Sequence, residues 1–209
     1  MPIDSPAAFA GAFDVSRETL ERLTIHARLL ERWNPRINLV AASTLPTLWH
    51  RHMADSAQLW PLRPHDLTIW ADIGAGAGFP GLVVAALAAE QAPDCRVRLI
   101  ESDARKSAFL AEVIREAALP ATVSTDRWQI LPAQRADVVS ARALATLTEL
   151  LGAVEKHACP NGIGLFPKGE TVHKEIDEAN RRWRFDWRLV PSRTEPKAAI
   201  LEIGAVHRV

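Results

Sequence analysis

A glycine-rich turn at residues 71–81, ADIGAGAGFPG, constrains the fold of this chain more than any other segment. It holds four of the ten glycines and separates the apolar stretch TIWADI from the apolar stretch PGLVVAALAAE. Glycine permits a tight turn and lets a ligand approach the backbone closely. A strand that turns in this way into a helix is typical of the binding edge of an open α/β sheet. We therefore expect a ligand site at this turn.

Strands and helices alternate from the glycine-rich turn to the end of the chain. Strands are predicted at 68–74, 97–102, 121–126 and 136–142, and Asn161-Gly162 is predicted to turn the chain into a fifth strand. Amphipathic or apolar segments of helical length lie between them, and the final segments RFDWRLV and AAILEIG are predicted to pair antiparallel. This order predicts an α/β, Rossmann-like fold: a mostly parallel, twisted sheet with helices on both faces and an antiparallel strand near the C-terminus.

The first 64 residues have a different, helical pattern. Leu20, Leu23, Ala27 and Leu30 recur at helical spacing after the N-cap candidate Ser16, which predicts a helix over 16–33 that ends at Asn34-Pro35. A second helical segment is predicted from about residue 43 to 60. We expect residues 1–64 to form a helical extension and residues 65–209 to form one compact ligand-binding domain.

Charge and composition restrict the partners of this chain. Its 25 basic residues balance 25 acidic residues, so any nucleic acid would have to meet a local basic patch. The densest such patch is RRWRFDWR at 181–188, whose Trp183, Phe185 and Trp187 are expected to alternate into the core. No apolar run has the length of a membrane span, and Cys95 and Cys159 lack the spacing of metal ligands. We expect a cytoplasmic protein without a metal site.

Two cofactors fit the glycine-rich turn. Gly76, Gly78 and Gly81 satisfy the dinucleotide pattern G-x-G-x-x-G, and Glu101 follows at the distance expected of a ribose-binding acid, which indicates a nicotinamide-dependent oxidoreductase. Asp72 precedes Gly74 by two residues, however, and a carboxylate there suits the cationic, phosphate-free S-adenosylmethionine (SAM). A pyrophosphate would instead favour a helix N-terminus without nearby negative charge. The short remaining chain and the antiparallel end favour SAM.

Several segments together resemble the ribosomal small-subunit methyltransferase G family. They are WNPRINLV, RHMADS, ADIGAGAGFPG, LIESDARKSAFL, VVSARALATL and PKG, in that order. The resemblance implies a SAM-dependent methyltransferase that transfers methyl to N7 of a guanine in the 530 loop of 16S rRNA. Its partner would be 16S rRNA or a small ribosomal subunit particle, and we expect a monomer. A non-catalytic ribosome-binding module is a further alternative.

The glycine pattern and the resemblance together assign a cofactor site. Relatives show Ser-Arg-Ala where this chain has Ser140-Ala141-Arg142-Ala143, which puts any role of the serine hydroxyl in question. Trp128 and Gln129 match the pair that flanks adenine, with contacts expected through the backbone. The expected cofactor-binding residues are Asp72, Gly74, Gly76, Gly78, Phe79, Glu101, Trp128, Gln129 and Arg142.

The acceptor end of the site is expected to contain His52, Asp55, Arg142 and Lys168. His52 and Asp55 are three residues apart on a predicted helix and so share a face. They either hold the methionine end or the guanine, or form a buried pair that ties the front helices to the sheet. Guanine N7 has a free lone pair, so we expect no catalytic general base. RNA contact is expected through Arg32, Arg36, Lys168 and the arginines of 181–188.

Overall fold

The structure, a computed structural model, describes residues 3–209 and contains one seven-stranded sheet. The strand order is β3-β2-β1-β4-β5-β7-β6, and β7 alone runs against the other six. The strands are β1 Ile69–Ile73, β2 Arg96–Ile100, β3 Ala121–Ser124, β4 Ala136–Ser140, β5 Ala158–Lys168, β6 Trp183–Pro191 and β7 Ala199–Arg208.

Seven helices accompany the sheet in the described part of the chain, together with irregular helical turns. The helices are α1 Pro6–Phe13, α2 Arg17–Ile37, α3 Asp55–Ala57, α4 Gly81–Gln91, α5 Ala104–Glu116, α6 Leu147–His157 and α7 Val172–Ala179. Between α2 and α3 the chain forms a 3-10 turn at Ala42–Thr47 and a π-helical turn at Trp49–Ala54, and a further 3-10 turn follows at Trp60–Leu62.

Helices cover both faces of the sheet. On one face α4 and α5 pack on the strands, and α2 lies across them with Leu23 and Leu30 fully buried. On the other face α6 and α7 cover β4, β5 and β7, with Leu151 and Phe166 in the core. The predicted fold class, including the antiparallel C-terminal pair, is confirmed.

The predicted end of the first long helix was wrong. Helix α2 passes through Asn34-Pro35 and ends at Ile37, where Asn38 adopts a left-handed conformation with φ of 47°. A proline in the last turn removes only one backbone donor, so it can stay in the helix there. Asn34 also accepts a hydrogen bond from the Val40 amide at 2.8 Å, which fixes the chain as it leaves α2. The segment predicted to form a second helix at 43–60 is helical but broken into the short turns given above.

Two further expectations for the C-terminal half were wrong. Asn161-Gly162 does not precede β5 but lies within it, at an irregularity in the pairing with β4, where a Cβ on Gly162 would lie 2.5 Å from the Ala136 carbonyl oxygen. Trp187 does not enter the core and is 44% exposed, although Trp183 is buried. The register of β6 shifts between Arg184 and Asp186, which interrupts the alternation of faces on this edge strand.

Candidate active site

One large cavity, of about 900 Å³, opens at the carboxyl ends of β1, β2 and β4. The strand order reverses between β1 and β4, which is where open α/β sheets bind ligands. Residues 39–55 and the loop at 192–198 complete its walls. Ten of the expected site residues line it: His52, Asp55, Gly74, Gly76, Phe79, Glu101, Trp128, Gln129, Arg142 and Lys168.

The glycine-rich turn is held in a conformation that other residues adopt only at a cost. Gly74, Gly76 and Gly78 have φ angles of 66°, 53° and 84°. Gly78 is not on the cavity wall; a Cβ there would lie 2.2 Å from the buried Leu82 side chain. Its role is therefore to shape the turn. Gly81 lets α4 approach the sheet, because a Cβ at that position would lie 2.3 Å from Leu99.

Asp72 was expected to face the cofactor, but its side chain lies beneath the glycine-rich turn. It is fully buried on the side of β1 that carries α4, and it is absent from the cavity wall. Its carboxylate accepts hydrogen bonds from the Gly81 amide at 3.0 Å and from the Ser140 hydroxyl at 2.7 Å. Burial raises the pKa of Asp72 to about 7, against the opposing effect of those hydrogen bonds. Asp72 thus positions the turn and the start of α4.

Ser140, the serine whose position differs from that in relatives, makes two buried hydrogen bonds through its hydroxyl. Its hydroxyl donates to Asp72 and accepts from the Trp70 indole nitrogen at 2.7 Å. All three side chains are completely buried. The hydroxyl thus connects β4 to β1 below the site.

Glu101, at the end of β2, presents a carboxylate to the cavity. Its two oxygens accept the amides of Gly76 and Asp103, each at 2.8 Å, and the residue is 7% exposed. A carboxylate has about four acceptor positions, so about two remain for a ligand. Paired hydroxyl groups, as in a ribose, match that capacity.

Trp128 and Gln129, which follow β3, form another part of the cavity wall. Their backbone carbonyls already accept hydrogen bonds from His157 (2.9 Å) and Lys156 of α6. The Trp128 ring also packs edge-on against His157. Each carbonyl oxygen therefore has one acceptor position left for a ligand.

Arg142 connects the two acceptor-side candidates. Its guanidinium donates to His52 Nδ1 at 2.8 Å and to Asp55 Oδ2 at 3.4 Å. His52 and Asp55 therefore do not form the direct pair considered from the sequence. The second His52 nitrogen donates to the Thr44 hydroxyl at 2.9 Å. Burial and the charge of Arg142 lower the pKa of His52 to about 3, so this imidazole is neutral at pH 7.

Phe79 lies between two histidine rings. His52 stacks on it at a centroid distance of 5.0 Å and His26 at 4.8 Å, and the Arg142 guanidinium lies 4.9 Å from the ring centroid. His26 bonds the Ala77 carbonyl oxygen at 2.8 Å. Burial lowers the pKa of His26 to about 4. His26 was not among the site residues expected from the sequence, although its place on the apolar face of α2 was a signal for burial.

The loop between β6 and β7 also reaches the site. Asp55 accepts a hydrogen bond from the Thr194 hydroxyl at 2.9 Å and from the Gln58 side chain at 2.9 Å. Thr194 and Glu195 both line the cavity. Asp55 and Thr194 are 139 residues apart along the chain, and no local pattern predicts their contact.

The basic candidates differ in position. Lys168 lines the cavity and pairs with Glu175 of α7 at 2.7 Å. Arg188 pairs with Glu202 at 2.7 Å on the outer strand β6. Arg181, Arg182 and Arg184 are near the start of β6, at the end of the sheet away from the cavity, because β6 runs in the same direction as β1. These three arginines are therefore not beside the site.

The turn is poorly suited to a pyrophosphate. The amides of Gly76 and Gly81 already donate to the carboxylates of Glu101 and Asp72. A phosphate site at a helix N-terminus needs such amides free. A phosphate-free adenosine compound fits these residues better. Within residues 3–209, no group of three or more histidine, cysteine, aspartate or glutamate side chains could hold a metal ion, and no helix is long and apolar enough to cross a membrane.

Comparison with known sequences identifies close relatives. A family model described as rRNA small subunit methyltransferase G matches residues 19–198. The chain is 50% identical over 196 residues to the ribosomal RNA small subunit methyltransferase G of Ruegeria sp. strain TM1040, covering 94% of this chain and 95% of the relative. The protein of the same name from Rhodospirillum centenum is 50% identical over 198 residues, covering 95% of this chain and 89% of the relative.

Solved structures show the same fold at low sequence identity. A SAM-dependent methyltransferase from Aquifex aeolicus aligns with a TM-score of 0.57 at 14% identity, covering 76% of this chain and 92% of that one. M. jannaschii TYW2, solved in complex with AdoMet, aligns with a TM-score of 0.54 at 12% identity, covering 76% of each chain. These likenesses support the fold assignment.

Proposed function

We propose a reaction for this chain on the premise that it belongs to the rRNA small subunit methyltransferase G family. The reaction is transfer of a methyl group from SAM to N7 of a guanine in the 530 loop of 16S rRNA. The observation that carries the proposal is the cavity at the switch point of the sheet, which is lined by Glu101, the glycine-rich turn and Arg142. At about 900 Å³ it is within the range of small-molecule sites, about 300 to 1,000 Å³.

The two ends of the cavity have different tasks. Glu101 offers its remaining acceptor positions to the ribose hydroxyls, and Trp128 and Gln129 border the adenine. Gly74, Gly76 and Phe79 bring the backbone and an aromatic ring to the middle of the cofactor, above the buried Asp72. When bound there, SAM supplies an electrophilic methyl group on a sulfonium.

The acceptor end positions guanine without removing a proton. The His52 nitrogens both have hydrogen-bond partners, and its pKa of about 3 makes it a weak base. The Asp55 carboxylate is engaged by Arg142, Gln58 and Thr194. Guanine N7 carries a free lone pair, so holding it in line is sufficient, and positioning alone can lower a barrier by several kcal/mol, up to roughly 10.

The charge that develops on guanine has acceptors nearby. The ring becomes cationic as the bond forms, so a carboxylate at this end stabilises the transition state more than the ground state. Asp55 and Glu195 are the carboxylates on this part of the wall. We propose that Arg142 and Lys168 contact the guanine or its phosphate, that the partner is 16S rRNA or a small ribosomal subunit particle, and that the protein acts as a monomer in the cytoplasm.

The experiment that tests this proposal maps the methylated nucleotide. Small ribosomal subunits from cells that lack the protein are incubated with it and with SAM carrying a labelled methyl group. We expect label on one guanine of the 530 loop, at N7. Label on another base, or none on rRNA, would refute the proposal. The oxidoreductase alternative has no supporting observation here, because the turn amides that a pyrophosphate needs are engaged.

A further inference from the structure

A second concave surface lies beside the cavity, between the end of α2 and the start of α5. This surface, the α2–α5 groove, encloses about 460 Å³. Trp33 and Ile37 of α2 and Ala104 and Ala108 of α5 supply its apolar surface. No other described segment of the chain covers it, so it is open to a partner.

The aromatic part of the groove is held rigidly. The indole nitrogen of Trp33 donates to Glu112 Oε2 at 2.8 Å, and the ring meets Phe109 edge-on at 6.0 Å. Trp33 itself is half-buried. A fixed, partly exposed aromatic ring can stack on a nucleobase at little entropic cost.

Three arginines surround this apolar surface. Arg32 pairs with Glu112 at 3.0 Å, and its side chain is still 58% exposed; the Arg105 side chain is 72% exposed and has only a 3.5 Å contact to Asp103. Arg36 is exposed and has no acidic partner within 4.0 Å among residues 3–209. Exposed arginines next to an aromatic ring match single-stranded RNA, which offers phosphates and unstacked bases.

Residues of the groove and of the main cavity adjoin each other along the chain at two places. The chain that leaves α2 after Ile37 supplies Leu39 and Val40 to the cavity wall. Likewise Arg105 lines the groove and its neighbour Lys106 lines the cavity. A strand whose target base enters the cavity would therefore place an adjacent nucleotide over the α2–α5 groove.

We propose that the α2–α5 groove binds a nucleotide that flanks the target guanine, with its base on Trp33 and its phosphates at Arg36 and Arg105. This inference rests on the proposed function, because it takes the acceptor to be rRNA. The groove would give this protein, whose net charge is zero, a local RNA-binding site beside the cavity where methyl transfer takes place.

The first test measures RNA binding and turnover by the double variant Arg36→Glu/Arg105→Glu. With small ribosomal subunits as substrate, KM should rise at least about tenfold, while the Kd for SAM stays unchanged. With a fluorescein-labelled single-stranded RNA of the 530-loop sequence, the slope of log K against log salt should fall by about 1.4, at about 0.7 per lost phosphate contact. An unchanged slope and an unchanged KM would overturn the proposal.

A matched control separates this effect from general charge. Arg17→Glu makes the same charge change as Arg36→Glu alone, at the exposed first residue of α2, about 28 Å from Arg36 at 1.5 Å per residue. Its KM should equal that of the wild type. An equal rise in both proteins would show that only net charge matters and would overturn the groove.

A cross-link makes the test independent of activity. The photoreactive residue p-benzoylphenylalanine replaces Ala108 in the groove, or the 40% exposed Leu144 at the cavity as a reference. Irradiation with small subunits should attach both positions to 16S rRNA. Cross-links from Leu144 alone, or from Ala108 to a ribosomal protein, would overturn the proposal that the α2–α5 groove binds RNA. If the wild type methylates no rRNA, the proposed function fails, and the Ala108 cross-link still decides the groove.

Discussion

Arg142 and His52 form a hydrogen bond of 2.8 Å that joins the end of β4 to the helical front of the molecule. The bond requires Nδ1 of His52 to be an acceptor, so the ring proton is on Nε2. That N–H donates a hydrogen bond to the Thr44 hydroxyl. The same guanidinium contacts Asp55. His52, which lines the cavity and stays a candidate for substrate contact, therefore also holds an arginine of the cavity wall in place.

Replacing Arg142 with lysine should reduce methyl transfer about 10- to 100-fold. Lysine keeps the charge but lacks the planar fork whose two nitrogens reach His52 and Asp55 separately, and a hydrogen bond to a charged group contributes about 1.5 to 3 kcal/mol. Single-turnover kinetics would measure the loss. Arg96→Lys, at the start of β2 where the side chain donates to backbone carbonyls, is the control and should retain wild-type rates. Equal rates for both variants would contradict the role of Arg142.

Replacing Gly81 with alanine should destabilise the protein by about 1 to 3 kcal/mol. The new Cβ would lie 2.3 Å from Leu99 and 2.7 Å from the Asp72 carboxylate, which forces α4 away from the sheet. Urea unfolding would measure the loss, and calorimetry would show weaker SAM binding. In Gly11→Ala the Cβ meets nothing within 4 Å and helix propensity improves, so stability should hold or rise by up to about 1 kcal/mol. A stable Gly81→Ala with normal SAM affinity would show that the close packing is not needed.

Replacing Asp72 with asparagine should change how stability depends on pH. The pKa of Asp72 is about 7 in the folded state, against an ordinary value of 3.8, so the folded state binds more protons between these values. The free energy of unfolding that Asp72 contributes is therefore fully present below about pH 4. It is lost as pH rises towards 7, by at most about 1.4 kcal/mol per pH unit. The difference between the unfolding free energies of wild type and Asp72→Asn should fall across this window. A constant difference would mean that Asp72 is ionised throughout.

Replacing His26 with glutamine should have the opposite pH signature. The pKa of His26 is about 4 in the folded state, below the ordinary value of 6.5, so the neutral ring contributes stability above pH 6.5 that is lost as pH falls towards 4. Unfolding curves between pH 4.5 and 6.5, measured in roughly half-unit steps, should show a smaller acid loss for His26→Gln than for the wild type. The fully exposed His65→Gln should follow the wild-type curve. Parallel curves for His26→Gln would contradict the buried neutral ring.

The site could be predicted from the sequence where it depends on local pattern. The glycine-rich turn after a strand located the cavity, and Glu101 at the end of the next strand followed from the topology. Asp72 does lie at this turn, but its side chain is on the opposite side from the one predicted. Alternation along β1 decides which face a side chain is on, and a strand that is buried on both faces has no polar pattern that tells the two faces apart.

Contacts between distant segments could not be predicted in this way. The hydrogen bonds from Arg142 to His52 and from Thr194 to Asp55 join residues that are 90 and 139 positions apart. The prediction that Trp187 enters the core was wrong for a related reason. The register of the edge strand β6 shifts, and no residue in RFDWR indicates such a shift. Sequence pattern specified the elements and their ends, and packing decided which side chains met.

The most direct test of the account is calorimetric titration of SAM and of a nicotinamide dinucleotide into the wild type and into Glu101→Gln. We expect SAM to bind and the dinucleotide not to bind. We expect Glu101→Gln to weaken SAM binding about 10- to 100-fold, since a charge-assisted hydrogen bond is worth about 1.5 to 3 kcal/mol. Unliganded melting curves of both proteins would show how far the Gly76 and Asp103 amides tolerate the change. Binding of the dinucleotide without binding of SAM would contradict the account.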